Sequence, residues 1–208
     1  MAALLAVAVD GLWRWTRNVV TIVHEAGHAL TALLTGRRLT GIRLHSDTSG
    51  LTLSTGRPSG PGMVATAAAG YLAPSLAGLT GVVLLAFDQV TVMLWAATAL
   101  LLAMLVMVRN AYGALSLVVT GAIVVAVSLL ARADVQAAFA YAVTWFLLLA
   151  GVRPVGELWR ERRRGRGYGR TDSDQLARLT RVPGGVWVGL FGLGTLAALA
   201  AGGWVLLT

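Results

Sequence analysis

The sequence predicts an all-α polytopic membrane protein with about six transmembrane helices and one short cytoplasmic β-hairpin after the first of them. The chain of 208 residues is 57% hydrophobic and only 12% charged, and its mean hydropathy is +0.74. A soluble domain of this size does not need so much apolar sequence. Six apolar runs long enough to cross a bilayer, and one alternating stretch between the first two, complete the pattern. We expect residues 1–208 to form a single membrane-embedded domain.

The first predicted span covers about 17–36, and it ends where Gly36 is followed by Arg37 and Arg38, a combination that stops a helix. The linkers between most of the later runs are very short, which predicts antiparallel neighbouring helices. The exception is the Arg-rich segment at about 153–183, which holds nine Arg and four acidic residues. The other five spans are predicted at about 63–87, 89–108, 112–131, 135–152 and 184–207.

Residues 39–56 differ in character from the apolar runs around them. Apolar and polar residues alternate on both sides of the stretch 47–50, which reads Asp-Thr-Ser-Gly and is typical of a turn. This pattern predicts a β-hairpin, with a plain connecting turn as the alternative. The free edge of a hairpin can bind an extended peptide by adding a strand. The hairpin side chains that we expect to contact a substrate are Ile42, Leu44, Leu51 and Leu53.

The Arg residues indicate the orientation of the chain. With six spans, fourteen of the 17 Arg lie on the side of the hairpin and the Arg-rich segment, and three lie on the other side. Because cytoplasmic loops collect basic residues, we expect a plasma-membrane protein with the hairpin and the Arg-rich segment in the cytoplasm and both termini outside. The same bias accounts for the net charge of +8, so we expect no nucleic-acid partner. Arg14 and Arg17 fall on the external side in this arrangement.

The stretch His24-Glu25-Ala26-Gly27-His28 reads H-E-x-x-H inside the first span. On a helix, positions i and i+4 lie on one face, so both imidazoles can reach a single ion, and imidazoles suit Zn²⁺. Glu25 is rotated from His24 by about 100° and can reach a metal-bound water rather than the metal. The chain has no Cys, which excludes a Cys-based metal site. We expect one Zn²⁺ per chain, with Glu25 as the general base.

A structural polar cluster is the alternative interpretation of these residues, because a His on an apolar helix is commonly a hydrogen-bonded core residue. However, three ionisable groups within five residues are costly in hydrocarbon, and such groups mark functional sites by default.

The second span contains Pro74, which removes a helix hydrogen bond. It is either a proline that a membrane helix tolerates or the cause of a kink that opens space beside the metal. In the second case Tyr71 or Ser75 lines that space, and both are candidate substrate-binding residues.

These features resemble the site-2 protease family of intramembrane zinc metallopeptidases. The H-E-x-x-H motif in a span, the hairpin directly after it and about six spans carry the resemblance, which covers essentially the whole chain. The closer likeness is to a compact branch found in actinobacteria and plants, whose members carry a Ser-Asp-x-Asp/Glu type stretch before the last span. Thr171-Asp172-Ser173-Asp174 occupies that place here. One departure is that the later Asp-Gly, which supplies the third zinc ligand in well-studied members, is missing.

The resemblance implies hydrolysis of a peptide bond in a membrane-embedded or membrane-associated protein. Zinc would polarise the peptide carbonyl and activate a water, and Glu25 would take the proton of that water and pass it to the leaving amine. A metal-binding membrane protein without peptidase activity, such as a scaffold or sensor, is the main alternative, because the Asp-Gly is missing. An ion transporter is a further alternative, against which the absence of an internal repeat argues.

A catalytic zinc site normally has three protein ligands, so a third ligand must join His24 and His28. Carboxylates at the external face lie too far away in the predicted topology, and those beside Arg or in the hairpin turn have other expected roles. Asp172 and Asp174 remain, at the start of a predicted amphipathic helix where an acid also acts as a cap. The resemblance favours Asp172 as the third ligand, with Asp174 as the alternative.

Overall fold

The computed structural model of the protein describes residues 1–165 and 171–208. The fold is mostly helical with one two-stranded antiparallel sheet, which confirms the predicted fold class. In chain order the elements are α1 (Ala2–Ala8), α2 (Asp10–Leu34), β1 (Arg38–Leu44), β2 (Gly50–Thr55), α3 (Pro61–Ala86), α4 (Val90–Met107), α5 (Ala111–Leu130), α6 (Ala133–Arg163), α7 (Asp172–Thr180) and α8 (Gly184–Leu207).

Among the described residues, five helices are long and apolar enough to cross a membrane, namely α3, α4, α5, α6 and α8. They correspond to five of the predicted spans, and only α6 departs clearly, because it continues past 152 to Arg163. The chain is therefore a multi-pass membrane protein. Helix α2 covers most of the first predicted span, but it carries more polar and charged residues and is not one of the five.

The predicted hairpin is present, with strands that begin and end close to the expected bounds. β1 and β2 pair in antiparallel register, with Ile42 opposite Thr52 and Leu44 opposite Gly50. On β2, partly buried residues alternate with exposed ones, as expected for a strand with one face against the protein and one face turned away from it.

The hairpin folds back along α2 rather than projecting away from the helices. Ile42 and Leu44 are fully buried in a cluster that includes Ile22 of α2. At the hairpin turn, the Thr21 hydroxyl donates a hydrogen bond of 2.8 Å to the backbone carbonyl of Thr48. The sheet is thus fixed to α2 from its strands to its turn, next to the H-E-x-x-H residues.

Helix α3 lies at the centre of the helical bundle and packs against α2, α6 and α8. It runs antiparallel to α6, because Ser75 lies against Gly151 while Gly81, further along α3, lies against Thr144. Small residues at these positions let the two backbones approach closely, as is common between membrane helices. The end of α6 near Arg163 therefore lies at the same end of the bundle as the start of α3 and the hairpin.

The Arg-rich segment predicted at 153–183 is largely helical. Its first part belongs to α6, which continues through Pro154. Its last part forms α7 and the short connection to α8. Residues 166–170 of this segment lie outside the described residues.

The start of α2 lies beside the part of α6 that leads into the Arg-rich segment. The Trp13 Nε1–H donates a hydrogen bond of 3.0 Å to Glu157, and the Arg17 guanidinium lies 3.4 Å from the same carboxylate. Arg153 pairs with both Asp10 and Glu157. These contacts place the first two turns of α2 at the same end of the bundle as the hairpin.

Candidate active site

Three side chains from two distant parts of the chain meet at one point. His24 and His28 project from one face of α2, and their Nε2 atoms are 3.1 Å apart. The Oδ2 atom of Asp172, at the start of α7, lies 3.2 Å from each of these nitrogens. Three ligand atoms bound to a tetrahedral zinc at about 2.0–2.2 Å would be about 3.3–3.6 Å from one another. The triangle of two nitrogens and one oxygen fits such an ion in both spacing and chemistry.

The surroundings of His28 orient its ring toward this point. Its Nδ1 lies 2.7 Å from the backbone carbonyl of Thr66 in α3. Because a carbonyl only accepts, Nδ1 carries the proton in the neutral ring, and the lone pair of Nε2 faces His24 and Asp172. Such a bond from the second ring nitrogen is typical of metal-binding His residues.

The backbone of α3 approaches both imidazoles closely at Gly70. A Cβ atom at this position would lie 2.4 Å from His28 Nε2 and 2.5 Å from His24 Nε2. Only a glycine leaves the space that the two rings occupy. Gly70 is therefore part of the site, as is its neighbour Tyr71.

The His24 ring is held by aromatic contacts. This ring and that of Tyr71 form a T-shaped pair with centroids 5.0 Å apart, and Tyr71 in turn stacks on Phe191 of α8 at 5.2 Å. Offset or edge-on aromatic pairs of this kind contribute about 0.5–1.5 kcal/mol each beyond the area they bury. Tyr71 therefore joins α8 to the site.

The sequence motif at the start of α7 divides its two acids between different roles. Thr171 is the N-cap, and it forms a reciprocal capping box with Asp174. Asp174 is buried and also pairs with Arg162 of α6. Asp172 is free of the cap and faces the imidazoles. Leu176, which is fully buried, holds α7 against the bundle in this orientation.

Asp172 lies in an environment that favours its charged form. Burial opposes ionisation of the carboxyl group, but the imidazoles of His24 and His28 beside it outweigh burial and hold the pKa of Asp172 well below its usual range. An ionised carboxylate is the form that a metal ligand requires.

Glu25 lies beside the triangle, and its carboxylate is almost completely buried, with 3% of the residue exposed. The Thr52 hydroxyl, on β2, lies 2.6 Å from Glu25 Oε2 and donates a hydrogen bond to it. The ligand-type atoms of Glu25, His24 and His28 lie within 4.8 Å of one another, so Glu25 is near the ion position without forming part of the close triangle.

A cavity of about 350 Å³ opens onto these residues. Its walls come from α2, β2, α3 and α7, and they include Tyr71, Leu51 and Gln175. Leu53 is exposed on the hairpin, outside this lining. Ile42 and Leu44 are buried in the core and do not reach the cavity.

Ser75 is placed away from the cavity. It is buried between α3 and α6, against Gly151, and its hydroxyl has no hydrogen-bond partner among the described residues. Pro74 is also buried inside α3, which continues as one helix through it.

The outer edge of β1 is closed by the linker between α4 and α5. The Arg109 N–H donates to the Ile42 carbonyl at 2.9 Å. The Asn110 side chain donates to the Leu44 carbonyl at 2.6 Å and accepts from the Leu44 N–H at 3.2 Å, as a neighbouring strand would. The backbone groups of Ile42 and Leu44 thus point away from β2. In an antiparallel pair the residues opposite them, Thr52 and Gly50, then direct their own backbone N–H and C=O groups away from β1. Among the residues that the structure describes, the free edge of the hairpin is therefore that of β2, which borders the cavity.

A family model described as Peptidase M50B-like matches residues 1–202. The chain belongs to this family. It is the site-2 protease family, so membership confirms the resemblance and supports an intramembrane metallopeptidase. The match does not separate the compact branch from other members, and that branch stays a prediction. No curated protein and no solved structure matches the chain.

Several residues of the site were not predicted from the sequence. Three of them contact the motif residues from other elements: Thr66 contacts His28, Thr52 contacts Glu25, and Gly70 lies against both His24 and His28. Gly70 stands beside Tyr71, which was a candidate, and the polar side chain of Thr52 alternates with the apolar residues of the hairpin. Asn110 follows an Arg at a helix boundary, a context that favours an interfacial anchor over a role in the active site.

Proposed function

We propose that the protein is an intramembrane zinc endopeptidase that cleaves a membrane-embedded or membrane-associated protein. The observation that carries the proposal is the convergence of two His nitrogens, one Asp oxygen and a buried Glu on a single cavity. His24, His28 and Asp172 would hold one zinc ion per chain. When bound, that ion supplies Lewis-acid chemistry, polarising a peptide carbonyl and lowering the pKa of a water molecule.

Glu25 acts as the general base in this proposal. Its carboxylate takes a proton from the attacking water and then delivers it to the leaving amine nitrogen. A site that only stores or senses a metal needs no carboxylate in this place. Glu25 is the residue that favours a hydrolase over a metal-binding scaffold or sensor, and no observation on the described residues favours an ion transporter.

The substrate would lie in the cavity as an extended strand beside β2. The backbone groups of Gly50 and Thr52 point outward and pair with no other described strand, whereas the edge of β1 is closed by Asn110. Strand addition would place the peptide between the hairpin and the triangle of ligands. Leu51 and Tyr71 line the same cavity and are the candidates for contacts with substrate side chains.

We also place the hairpin, the Arg-rich segment and the active site toward the cytoplasm, with the C-terminus outside, because Arg collects at that end. The Arg count alone predicts an external N-terminus, but the contacts of Asp10 and Trp13 with α6 favour a cytoplasmic position for the start of α2. Arg14 and Arg17 would then obey the same charge rule as the other cytoplasmic residues.

The orientation can be tested by labelling, because the chain has no Cys and any introduced Cys is the only one. In intact cells, a membrane-impermeant maleimide is expected to label Ala133→Cys but neither Ser46→Cys nor Gly11→Cys. All three positions are exposed, so permeabilised cells should show labelling of each. External labelling of Ser46→Cys would contradict the orientation as a whole, and labelling of Gly11→Cys would contradict the position of α2.

The proposed hydrolysis can be tested with purified protein in phospholipid vesicles and a library of single-span peptides with extended flanking segments. Cleavage products, read by mass spectrometry, are expected to disappear with ortho-phenanthroline and to return when Zn²⁺ is added in excess. The meta isomer, which does not chelate, controls for other effects of the compound. The amount of metal in the treated protein is measured in parallel. If protein that contains no metal still cleaves the peptides, it is not a metallopeptidase.

A further inference from the structure

Strand β2 does more at the site than border the cavity, because two of its residues contact Glu25 directly. Thr52 Oγ1 lies 2.6 Å from Glu25 Oε2 and 3.2 Å from the Glu25 backbone carbonyl. The shorter contact has the length of a charge-assisted hydrogen bond to a carboxylate. Thr52 thereby connects β2 to Glu25, the proposed general base.

Gly50 provides the second contact. A Cβ at this position would lie 2.3 Å from Glu25 Oε1, 2.5 Å from Cγ and 2.6 Å from Cδ. The Glu25 side chain therefore lies directly against the strand backbone, in the space that any other residue at position 50 would fill. Gly50 and Thr52 are two apart on a strand, so both face the same side.

The two contacts together fix the carboxylate of Glu25. Oε2 is held by the Thr52 hydroxyl, and the aliphatic part of the side chain is held against Gly50. A freely rotating Glu would have several rotamers, of which few place a carboxylate oxygen beside the ion position. Holding a general base in one geometry is a recognised way to speed a reaction without contacting the substrate.

We infer that strand β2 of the hairpin positions the catalytic base, with Thr52 as the positioning residue that holds Glu25. The inference rests on the proposed function for its effect on rate, but the contact itself can be tested without any activity. It gives the hairpin a role in the chemical step in addition to substrate binding. A peptide that pairs with the edge of β2 then lies on the same strand that sets the base.

The kinetic test compares four forms of the protein in the vesicle assay with one cleaved library peptide. Thr52→Val keeps the shape of the side chain but removes the hydroxyl, and it is expected to lower kcat by about 10- to 100-fold, as losing an outer-shell partner typically does. KM and zinc content should stay at wild-type values. Thr52→Ser restores the hydroxyl and should recover most of the rate. Thr55→Val, an exposed position on the same strand, is the matched control and should behave as wild type.

A second measurement needs no activity. The chain has only three Glu, at positions 25, 157 and 161, so Glu labelled with ¹³C in the carboxylate gives few infrared bands, and Glu25→Gln identifies the band of Glu25. In the metal-free protein this band is expected to shift in Thr52→Val and to return in Thr52→Ser.

Wild-type kcat and an unmoved band in Thr52→Val would overturn the inference. A loss of rate accompanied by loss of zinc, with no recovery in Thr52→Ser, would also overturn it, because it indicates structural damage. If no form cleaves any peptide, the proposed function fails, and the infrared measurement still decides whether Thr52 holds Glu25.

Discussion

Glu25→Gln is expected to abolish peptide hydrolysis while the protein keeps its zinc. The amide has nearly the shape of the carboxylate, and its oxygen can still accept the hydrogen bond from Thr52. It cannot take a proton from water, so the proton transfer that Glu25 supplies is lost. General acid–base catalysis contributes about 10²- to 10⁴-fold to a rate, and we expect kcat to fall by at least this factor.

The control for this variant is Glu161→Gln, the same chemical change at an exposed position of α6. It should leave both hydrolysis and zinc content at wild-type values. Measurements of kcat on a library peptide and of zinc per chain distinguish the outcomes. Full activity in Glu25→Gln would exclude Glu25 as the base, whereas loss of zinc would show that Glu25 supports the metal instead.

Asp172→Asn is expected to weaken zinc binding more than Asp174→Asn does. Asp172 supplies the oxygen that lies 3.2 Å from both His nitrogens, and the amide removes its charge. Losing a direct ligand should cost more than the about 10- to 100-fold typical of an outer-shell partner. Asp174 is occupied by Thr171 and Arg162, so its replacement should act mainly on the stability of α7.

A zinc competition titration of both variants, with helical content measured in parallel, tests this order. The matched pair differs only in which acid of the motif has lost its charge. If Asp174→Asn loses zinc while Asp172→Asn binds as tightly as wild type, the assignment of the third ligand must be reversed.

The parts of the fold that follow from local sequence were predictable. The apolar runs predicted the membrane helices, and the spacing of His24 and His28 predicted that both imidazoles would lie on one face of a helix. Both inferences need only the helix period and the thickness of a bilayer. The alternation of apolar and polar residues on both sides of the turn predicted the hairpin, because side chains on a strand alternate between its two faces.

The choice of Asp172 as the third ligand could not be made from local sequence alone. Topology reduced the candidate ligands to two acids at one helix start, where capping and metal binding both favour a carboxylate. Thr171 and Asp174 have the spacing of a capping box, but Asp172 and Gln175 have the same spacing, so the sequence does not say which acid joins the cap. In the structure the capping box uses Asp174, three residues after Thr171, and Asp172 faces the other way, toward His24 and His28.

Contacts between elements that are distant in the chain could not be predicted from the sequence. The closure of the β1 edge by Asn110, the approach of Gly70 to the imidazoles and the bond from Thr52 to Glu25 depend on how helices and hairpin pack together. The position of the start of α2 is another example, because it follows from pairs such as Arg17 with Glu157 that no local pattern relates. Each of these residues is unremarkable in its own stretch of chain.

Metal analysis of the purified protein tests the central claim most directly. Wild type and the variant His24→Ala/His28→Ala, prepared in parallel and shown to have equal helical content, are measured for zinc per chain. We predict about one zinc ion in wild type and none above background in the variant, because the variant keeps only one of the three proposed ligands. Equal metal content in the two proteins would contradict a zinc site on His24, His28 and Asp172, and with it the proposed mechanism.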